Sequence, residues 1–339
     1  MHIQTDVSLK HYSTMRLGGL ANALVEVQSK EDLLAALQWA KERQLPHLML
    51  GGGSNVIFSN GFPGLVIVNK LQGFQVLHKE HNEVIVQIGA GENWDTIVGR
   101  TVEMGLSGIE KLSLIPGTAG ATPVQNVGAY GAEIADTFVK LEAYDLAEQQ
   151  FVTLNKEDCQ FSYRNSIFKS PKHRRYIITS LTLRLSTKPP EPPFYDTLQK
   201  YLDKQRVRIY TPQIIRDAVI AIRASKLPDP KYLPNIGSFF KNPIISEAEA
   251  VALRHQYPDV PSFAASKDRV KIAAGWLIDT AGLKGYTSHG MRVYEKNALV
   301  FVNDSANSFE DLAAFKQEII DTVHQKFGIV LEQEPELIA

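Results

Sequence analysis

Three polar clusters in this chain carry residue types that could act on a substrate. In FSYRNSIFK, residues 161–169, a Tyr-Arg-Asn-Ser run lies between apolar residues. Its Arg164 brings a guanidinium that keeps its charge and pairs carboxylate or enolate oxygens bidentately. In IGSFFKNP, residues 236–243, Gly237 lets the backbone turn, Ser238 presents a hydroxyl beside Phe239 and Phe240, and Asn242-Pro243 forces a second turn. A serine hydroxyl is too weak an acid for most work, so Ser238 could protonate only a very basic acceptor such as a carbanion. The third cluster is LEQEPELI, with Glu332, Glu334 and Glu336 between Leu331 and Leu337. A strand over 330–334 would put Glu332 and Glu334 on one face. Each cluster has a plainer explanation: Arg164 as an ion-pair partner on a sheet edge, Ser238 in an ordinary turn, the glutamates as a solvated tail. Taken singly, each plain explanation is the better one.

Two glycine-rich stretches supply a second kind of chemistry. The first is GGGSNVIFSNGFPG, 51–64, and the second is IPGTAGATPVQNVGAYG, 115–131. Both join glycines to small hydroxyl or amide side chains: Ser54, Asn55, Thr118, Thr122, Gln125 and Asn126. Glycine removes the Cβ that would keep a ligand off the backbone, and consecutive N–H groups form an anion nest. That combination points to a bound nucleotide cofactor. Neither stretch is a GxxxxGK[ST] loop or a GxGxxG turn between strand and helix, which excludes a P-loop ATPase and argues against a Rossmann site. There is no HExxH, CxxC or GxSxG, and the 9 histidines show no ligand spacing, so no catalytic metal is expected.

These clusters need a scaffold. Over the first 70 residues the pattern alternates strand, helix, strand, loop, strand, with strands over 23–27, 48–50 and 65–68. Ser29-x-x-Asp32 is a capping box that starts a helix with Leu33, Leu37 and Ala40 on its apolar face. Residues 1–20 read as irregular. From 71 onward the texture is α+β: strands over 84–88, 139–144, 150–154 and 176–185, and a helix over 95–104 that follows GAGENW. Pro189, Pro190, Pro192 and Pro193 exclude helix and central strand there, which marks a stiff linker, and the following Phe194 and Tyr195 could lie over a ligand. Pro212 opens an amphipathic helix. Further helices are predicted over 247–255 and 270–280, and a strand over 298–302. A second capping box, Ser308-x-x-Asp311, opens a helix with Phe309, Leu312, Phe315, Ile319 and Val323 on one face.

Bulk properties narrow the class. The chain has 339 residues, too long for one ordinary core, which predicts two or three domains. It is 44% hydrophobic and 22% charged with a formal net charge of -1, so no surface for nucleic acid is implied. Cys159 is the only cysteine, which excludes an intrachain disulfide and fits a reducing compartment. The N-terminus lacks an apolar signal core and no run of apolar residues is long enough to span a membrane. A cytoplasmic enzyme or binding protein is expected.

Together these segments resemble the UDP-N-acetylenolpyruvoylglucosamine reductases of peptidoglycan synthesis, over essentially the whole chain. The resemblance rests on the two glycine-rich stretches, GAGENW, FSYRNSIFK, KLPDPK (226–231), GSFFKNP, AAGWLID (273–279) and the terminal LEQE. The order of YRNSIFK and GSFFKNP is its most specific part, and the proline-bounded FYDTL resembles the substrate-covering loop of the longer, type I subgroup. It implies an α+β fold: a two-part FAD-binding domain of the PCMH or vanillyl-alcohol-oxidase-like type, and a C-terminal α+β substrate-binding domain. The implied boundaries are 1–70 for the first FAD-binding part, with the tail 328–339 returning to the active site. The second part would be 71–188, the covering loop and linker 189–210, and the substrate-binding domain 211–327.

The resemblance also implies an activity, reduction of the enolpyruvyl ether of UDP-N-acetylglucosamine to UDP-N-acetylmuramate by NADPH through non-covalent FAD. The catalytic residues would be Arg164, Ser238 and Glu334, although Glu332 and Glu336 lie close by. The FAD-binding residues would be Gly51, Gly52, Gly53, Ser54, Asn55, Gly117, Thr118, Gly120, Thr122, Gln125, Asn126 and Gly128. Substrate contacts would come from Tyr163, Tyr195, Lys226, Asn242 and Phe263, the last standing where some members have a tyrosine. The protein would be a cytoplasmic monomer acting on a small molecule. A sugar or hydroxy-acid oxidase on the same fold is the alternative enzyme; such oxidases often tether the flavin through His or Cys, and neither stretch contains one. A non-catalytic binding protein is the third possibility, and it predicts FAD without NADPH-driven turnover.

Overall fold

The computed structural model describes residues 1–169 and 175–338. The fold is α+β. The chain packs as two compact units, one of Met1–Val7, Asn22–Gly52 and Pro63–Ala224, the other of Ser8–Ala21, Gly53–Phe62 and Ser225–Ala339.

The chain begins with β1 (Ile3–Ser8), β2 (Leu20–Val27), α1 (Lys30–Glu42), β3 (His47–Leu50), β4 (Val56–Phe58) and β5 (Phe62–Asn69). Four of the strands form a sheet in the order β1-β2-β5-β3, with β3 and β5 parallel. The structure corrects the irregular reading of residues 1–20. β1 is an edge strand with no buried residue, so no apolar alternation marks it. Ser29 caps α1, its hydroxyl accepting from the N–H of Asp32 at 3.0 Å, but the expected box is not reciprocal: the Asp32 carboxylate accepts from the N–H of Gln28 at 3.2 Å. Leu33, Ala36 and Ala40 then pack on Ala23, Val25 and Val27 of β2 and on Leu65 and Ile67 of β5.

A larger antiparallel sheet follows. β6 (Phe74–Glu80) and β7 (Glu83–Gly89) lead to α2 (Trp94–Glu103). The short strands β8 (Gly128–Ala129) and β9 (Ala132–Glu133) and the single turn α3 (Ile134–Thr137) lead to β10 (Phe138–Asp145), β11 (Gln150–Asn155), the single turn α4 (Lys156–Cys159) and β12 (Tyr176–Ser186). The order is β11-β10-β12-β7-β6. Val84, Val86 and Ile88 alternate with partly exposed residues and face Trp94, Ile97, Val98 and Val102 of α2. Asn93 caps α2, its Oδ1 accepting from the N–H of Thr96. The unit closes with a helical hairpin, α5 (Asp196–Lys204) and α6 (Pro212–Lys226). α5 lies inside the stretch read as loop and linker, starting as soon as the prolines end.

The second unit carries β13 (Asn235–Ser238), β14 (Ile244–Ser246), α7 (Glu247–Gln256), β15 (Ser262–Ser266), β16 (Arg269–Ile272), α8 (Ala274–Thr280), β17 (Thr287–Ser288), β18 (Met291–Val293), β19 (Val300–Asn303), α9 (Phe309–Phe327) and β20 (Glu336–Ile338). Its sheets run β13-β19-β18-β17 and β14-β16-β15, and β20 pairs with β4 in parallel. Phe239, Phe240, Phe301 and Phe315 form the aromatic centre of its core, with α8 and α9 packed around them. Ser308 and Asp311 form the expected capping box of α9.

Two expectations in this unit are corrected. The helix expected over 270–280 is β16 followed by α8: Val270 and Ile272 alternate into the core, and Ala273 separates strand from helix. The strand expected over 330–334 is a single bridge between Gln333 and Phe240, because Pro335 lacks the N–H a ladder needs and pairing resumes only at β20. Glu332 is exposed while Glu334 is half-buried, so they do not share a strand face. Among the described residues, no helix is long and apolar enough to cross a membrane.

Candidate active site

The two glycine-rich loops meet. A Cβ on Gly52 would lie 2.8 Å from the Cα of Gly117, and one on Gly51 would lie 2.6 Å from Oγ1 of Thr118. Only glycine permits this contact, because the opposing group at Gly52 is backbone and cannot give way. GAGENW, the turn from β7 into α2, is the third segment of the arrangement. Ala119 and Gly120 donate to the carbonyls of Glu92 and Ala90, and Trp94 donates to that of Gly117. Gly53 is in the left-handed region at φ 62°, and its missing side chain leaves room for the carbonyl of Tyr12, which a Cβ would meet at 1.9 Å.

The side chains of these loops divide into two groups. Thr122 is buried and donates to the carbonyl of Ala119 at 2.7 Å, which tightens its own turn. Asn126 is buried and fully engaged: Nδ2 donates to Glu133 Oε2 at 2.7 Å and to the carbonyl of Ser162 at 3.2 Å, and Oδ1 accepts from Ala135 at 3.1 Å. Both therefore shape the loop, and what they can offer a ligand is backbone. Ser54, Thr118 and Gln125 are only partly buried. Neither loop contains Lys or Arg, so a pyrophosphate there must be met by N–H groups and hydroxyls. Cβ-free backbone, hydroxyl and amide donors and an absence of side-chain charge fit a dinucleotide such as FAD. Cys159 cannot tether one, because burial pushes its thiol up to about 12 and it lies in α4 outside both loops.

Arg164 is held at the tip of a tight turn. Ser162 and Asn165 exchange backbone hydrogen bonds at 3.0 and 3.1 Å, leaving Tyr163 and Arg164 between them. Arg164 adopts φ 53°, an uncommon value for a side chain this large and a form of stored strain found at functional positions. Its Nη2 donates to the carbonyl of Gly128 at 2.7 Å, and its guanidinium lies over the Tyr163 ring at 5.4 Å. Gly128 suits this close packing, since a Cβ would sit 2.9 Å from Cγ of Glu133 and 3.0 Å from both the carbonyl of Ala132 and Nη1 of Arg164. The second loop and Arg164 are thus one construction within the first unit. Tyr195 packs on the same loop, 6.3 Å from the ring of Tyr130 in an edge-to-face pair.

Ser238 and Glu334 lie on neighbouring segments of the second unit. Ser238 ends β13, opposite Val300 of β19. Gly237 turns the chain at φ 74°, and Asn235 holds that turn by accepting from the N–H of Gly237 at 3.0 Å. Asn235 was not singled out from sequence, and only its place two residues before a glycine could have marked it. The tail runs alongside: Glu334 donates to the carbonyl of Phe239 at 2.9 Å, and Lys241 donates to that of Glu332 at 2.9 Å. Glu334 is thereby fixed beside the residue that follows Ser238. Glu332 is instead paired with Lys241, and Glu336 belongs to β20. Among the described residues the Ser238 hydroxyl has no hydrogen-bond partner.

The remaining residues expected at the substrate fall in different places. Asn242 uses Oδ1 to accept from the N–H of Ala274 at 2.9 Å, which starts α8. Phe263 lies on β15, an edge strand, and is exposed. Lys226 is exposed at the last turn of α6. Among the described residues there is no group of three or more His, Cys, Asp or Glu able to hold a metal ion.

Comparison with known proteins follows the same division. Residues 229–338 match the family model described as UDP-N-acetylenolpyruvoylglucosamine reductase, C-terminal domain, and residues 21–155 match an FAD binding domain. A UDP-N-acetylenolpyruvoylglucosamine reductase of Chromobacterium violaceum is 40% identical over 99% of this chain and 98% of its own length. One from Ralstonia nicotianae is 42% identical over 97% of each. The crystal structure of UDP-N-acetylenolpyruvylglucosamine reductase from Thermus caldophilus superposes with a TM-score of 0.69 at 24% identity, covering 100% of both chains, which establishes the shared fold. Full-length identity of this size places the chain in one family: it belongs to the UDP-N-acetylenolpyruvoylglucosamine reductases.

Proposed function

We propose that the chain reduces the enolpyruvyl ether of UDP-N-acetylglucosamine to UDP-N-acetylmuramate in peptidoglycan precursor synthesis, with FAD as cofactor and NADPH as reductant. The observation that carries this reading is full-length identity to the family, joined by the backbone bond from the N–H of Glu334 to the carbonyl of Phe239, which holds the tail segment of Glu334 alongside the strand end of Ser238.

The glycine-rich loops, from Gly51 to Asn55 and from Gly117 to Gly128, hold the cofactor by backbone N–H groups and short polar side chains. FAD, when bound, supplies the two-electron chemistry between NADPH and the vinyl group of the substrate. Arg164 stabilises the charge that builds beside the substrate carboxylate. Its guanidinium is already ordered by Gly128 and Tyr163, so little reorganisation is needed at the moment of reaction. Ser238 gives its proton to the carbon next to that carboxylate. The acceptor is basic enough for a hydroxyl to serve, which resolves the mismatch in acidity. Glu334 orients the carboxylate with Arg164. Tyr163, Tyr195, Lys226, Asn242 and Phe263 contact the rest of the substrate, and Phe263 can do so only through its ring. NADPH uses the substrate's own pocket, which accounts for a nicotinamide enzyme without GxGxxG. The reading places the enzyme in the cytoplasm as a monomer.

The product tests this. Incubation with NADPH and the enolpyruvyl UDP-sugar is expected to give UDP-N-acetylmuramate by mass spectrometry, heavier than substrate by two hydrogens, with one NADPH consumed per product. NADPH oxidation that depends on oxygen and leaves the sugar unchanged would make it an oxidase instead.

A further inference from the structure

Residues 12–15 belong to the N-terminal stretch, which carries no motif of its own, yet they join two parts of the second unit. They close a single 3-10 turn, Leu9–Tyr12, and share that unit with residues 53–56 of the first glycine-rich loop and with the strands around Ser238.

One side of this strap is bonded to the loop. The N–H of Thr14 donates to the carbonyl of Gly53 at 3.1 Å, and the hydroxyl of Ser13 donates to the carbonyl of Val56 at 3.1 Å. The left-handed turn at Gly53 brings loop and strap so close that a Cβ there would lie 3.3 Å from the Cα of Ser13. The other side is bonded to the strands. The carbonyl of Thr14 accepts from the N–H of Asn235 at 3.1 Å, and the carbonyl of Met15 accepts from Nδ2 of Asn303 at 3.0 Å. Asn235 begins β13 and Asn303 ends β19, and these two strands pair, with Ser238 opposite Val300. Asn235 also holds the Gly237 turn through its Oδ1. A series of hydrogen bonds thus runs from Gly53 through Thr14 and Asn235 to Gly237, the neighbour of Ser238.

These bonds are shielded from water. Ser13, Asn235 and Asn303 are each more than nine-tenths buried, and Met15 roots the strap in the core with Ile57, Phe239 and Phe240. The Asn303 amide meets a carbonyl 288 positions away in the chain. A slip of the strap would leave that buried donor and acceptor both unpaired, so the contact admits one register.

We infer that Ser13 and Asn303 are positioning residues: they fasten opposite sides of this strap, so that residues 53–55, assigned to the cofactor above, and the Ser238 hydroxyl keep one fixed spacing. The functional half of this inference rests on the reading given under the proposed function; the strap itself does not. Its consequence falls on one half-reaction. Reduction of the flavin by NADPH does not use Ser238, whereas proton transfer from Ser238 does, and a misplacement of about 1 Å can cost such a step about a hundredfold.

Ser13→Ala removes the bond to the loop, and Asn303→Leu puts an apolar side chain of similar size where the amide held Met15. In each variant, reoxidation of the reduced flavin by the enolpyruvyl UDP-sugar is expected to slow about tenfold, and bleaching by saturating NADPH to stay within about twofold. The double variant should be little slower than either single one, because both break the same connection. Hydrogen exchange of the holoenzyme gives a readout independent of turnover: the amides of Thr14 and Asn235 should exchange faster in both variants, with those of β10 and β12 unchanged. Equal slowing of both half-reactions, losses that simply add, or unchanged reoxidation would overturn the positioning role. Unchanged exchange would overturn the strap. A wild-type protein that does not turn over this substrate would instead sink the functional reading, and exchange would still decide the strap.

Discussion

The N–H of Glu334 donates to the carbonyl of Phe239 at 2.9 Å, one residue beyond Ser238. Residues 95 positions apart in the chain are thus held in fixed register by backbone alone. The same bonding separates three neighbouring glutamates into different roles. Glu332 faces solvent with Lys241, Glu336 is part of β20, and Glu334 stands beside the serine strand.

That division is open to a direct comparison. Glu334→Gln is expected to lower kcat by about a hundredfold or more, as loss of a group acting on charge in the transition state does. Glu332→Gln removes an exposed ion pair of small value and should leave kcat within about twofold. Steady-state kinetics of the two variants checks this; equal losses would contradict the assignment of Glu334.

The contact between Gly52 and Gly117 bears on cofactor retention. Gly52→Ala drives a Cβ to 2.8 Å from a backbone Cα, and the loops must part. Overpacking of this kind costs about 1–3 kcal/mol, so FAD should be held roughly tenfold to a hundredfold less tightly. The flavin-to-protein ratio after dialysis, read from the visible spectrum, measures it. Full retention would mean that the loops do not form the cofactor cradle.

Cys159 should be inert. Burial, with Asp158 and Glu157 adding to it, pushes the thiol up to about 12, so almost no thiolate exists near neutrality. A maleimide at pH 8 is expected to leave the native protein unlabelled and active, and to label it once denatured. Rapid labelling of the native protein would contradict the burial.

Asp95 carries a pH dependence with a definite sign. Burial opposes its charge, but the Arg216 hydrogen bond and the Leu114 N–H outweigh this and hold the carboxyl below 3.8. A carboxyl with a depressed folded value contributes stability that is complete above its unfolded value and is lost as pH falls through the folded one. Asp95→Asn should therefore lower Tm at pH 7, and the gap to wild type should shrink only once the pH drops below 3.8. A gap of constant size down to pH 2.5 would remove the linkage.

Much of the scaffold was legible because its signals are local. Ser29 with Asp32 and Ser308 with Asp311 each contain both partners of a cap within four residues; the box at α9 is reciprocal, while at α1 the Ser29 hydroxyl caps the helix and Asp32 accepts from the N–H of Gln28 instead. Pro212 opens α6 for the same reason. β1 was not legible, since an edge strand with no buried residue needs no apolar alternation. The stretch 270–280 misled because an apolar run has no fixed period, and a strand–helix junction at Ala273 is decided by packing on Asn242 and Pro261. At the site, Arg164, Ser238 and the glycine-rich loops stood out by composition. The Asn235 brace and the bidentate Arg216–Asp95 pair did not, because each joins a commonplace residue to a partner chosen by the fold rather than by a nearby motif.

The most direct test of the account follows the visible spectrum of the purified flavoprotein without oxygen, for wild type and Ser238→Ala. NADPH is expected to bleach both at similar rates. The enolpyruvyl UDP-sugar should then restore the oxidised spectrum of wild type promptly and that of Ser238→Ala about a thousandfold more slowly, as loss of an essential proton donor requires. Equal recovery in both proteins would remove Ser238 from the chemistry, and a wild-type spectrum that recovers only when air is admitted would contradict the reductase itself.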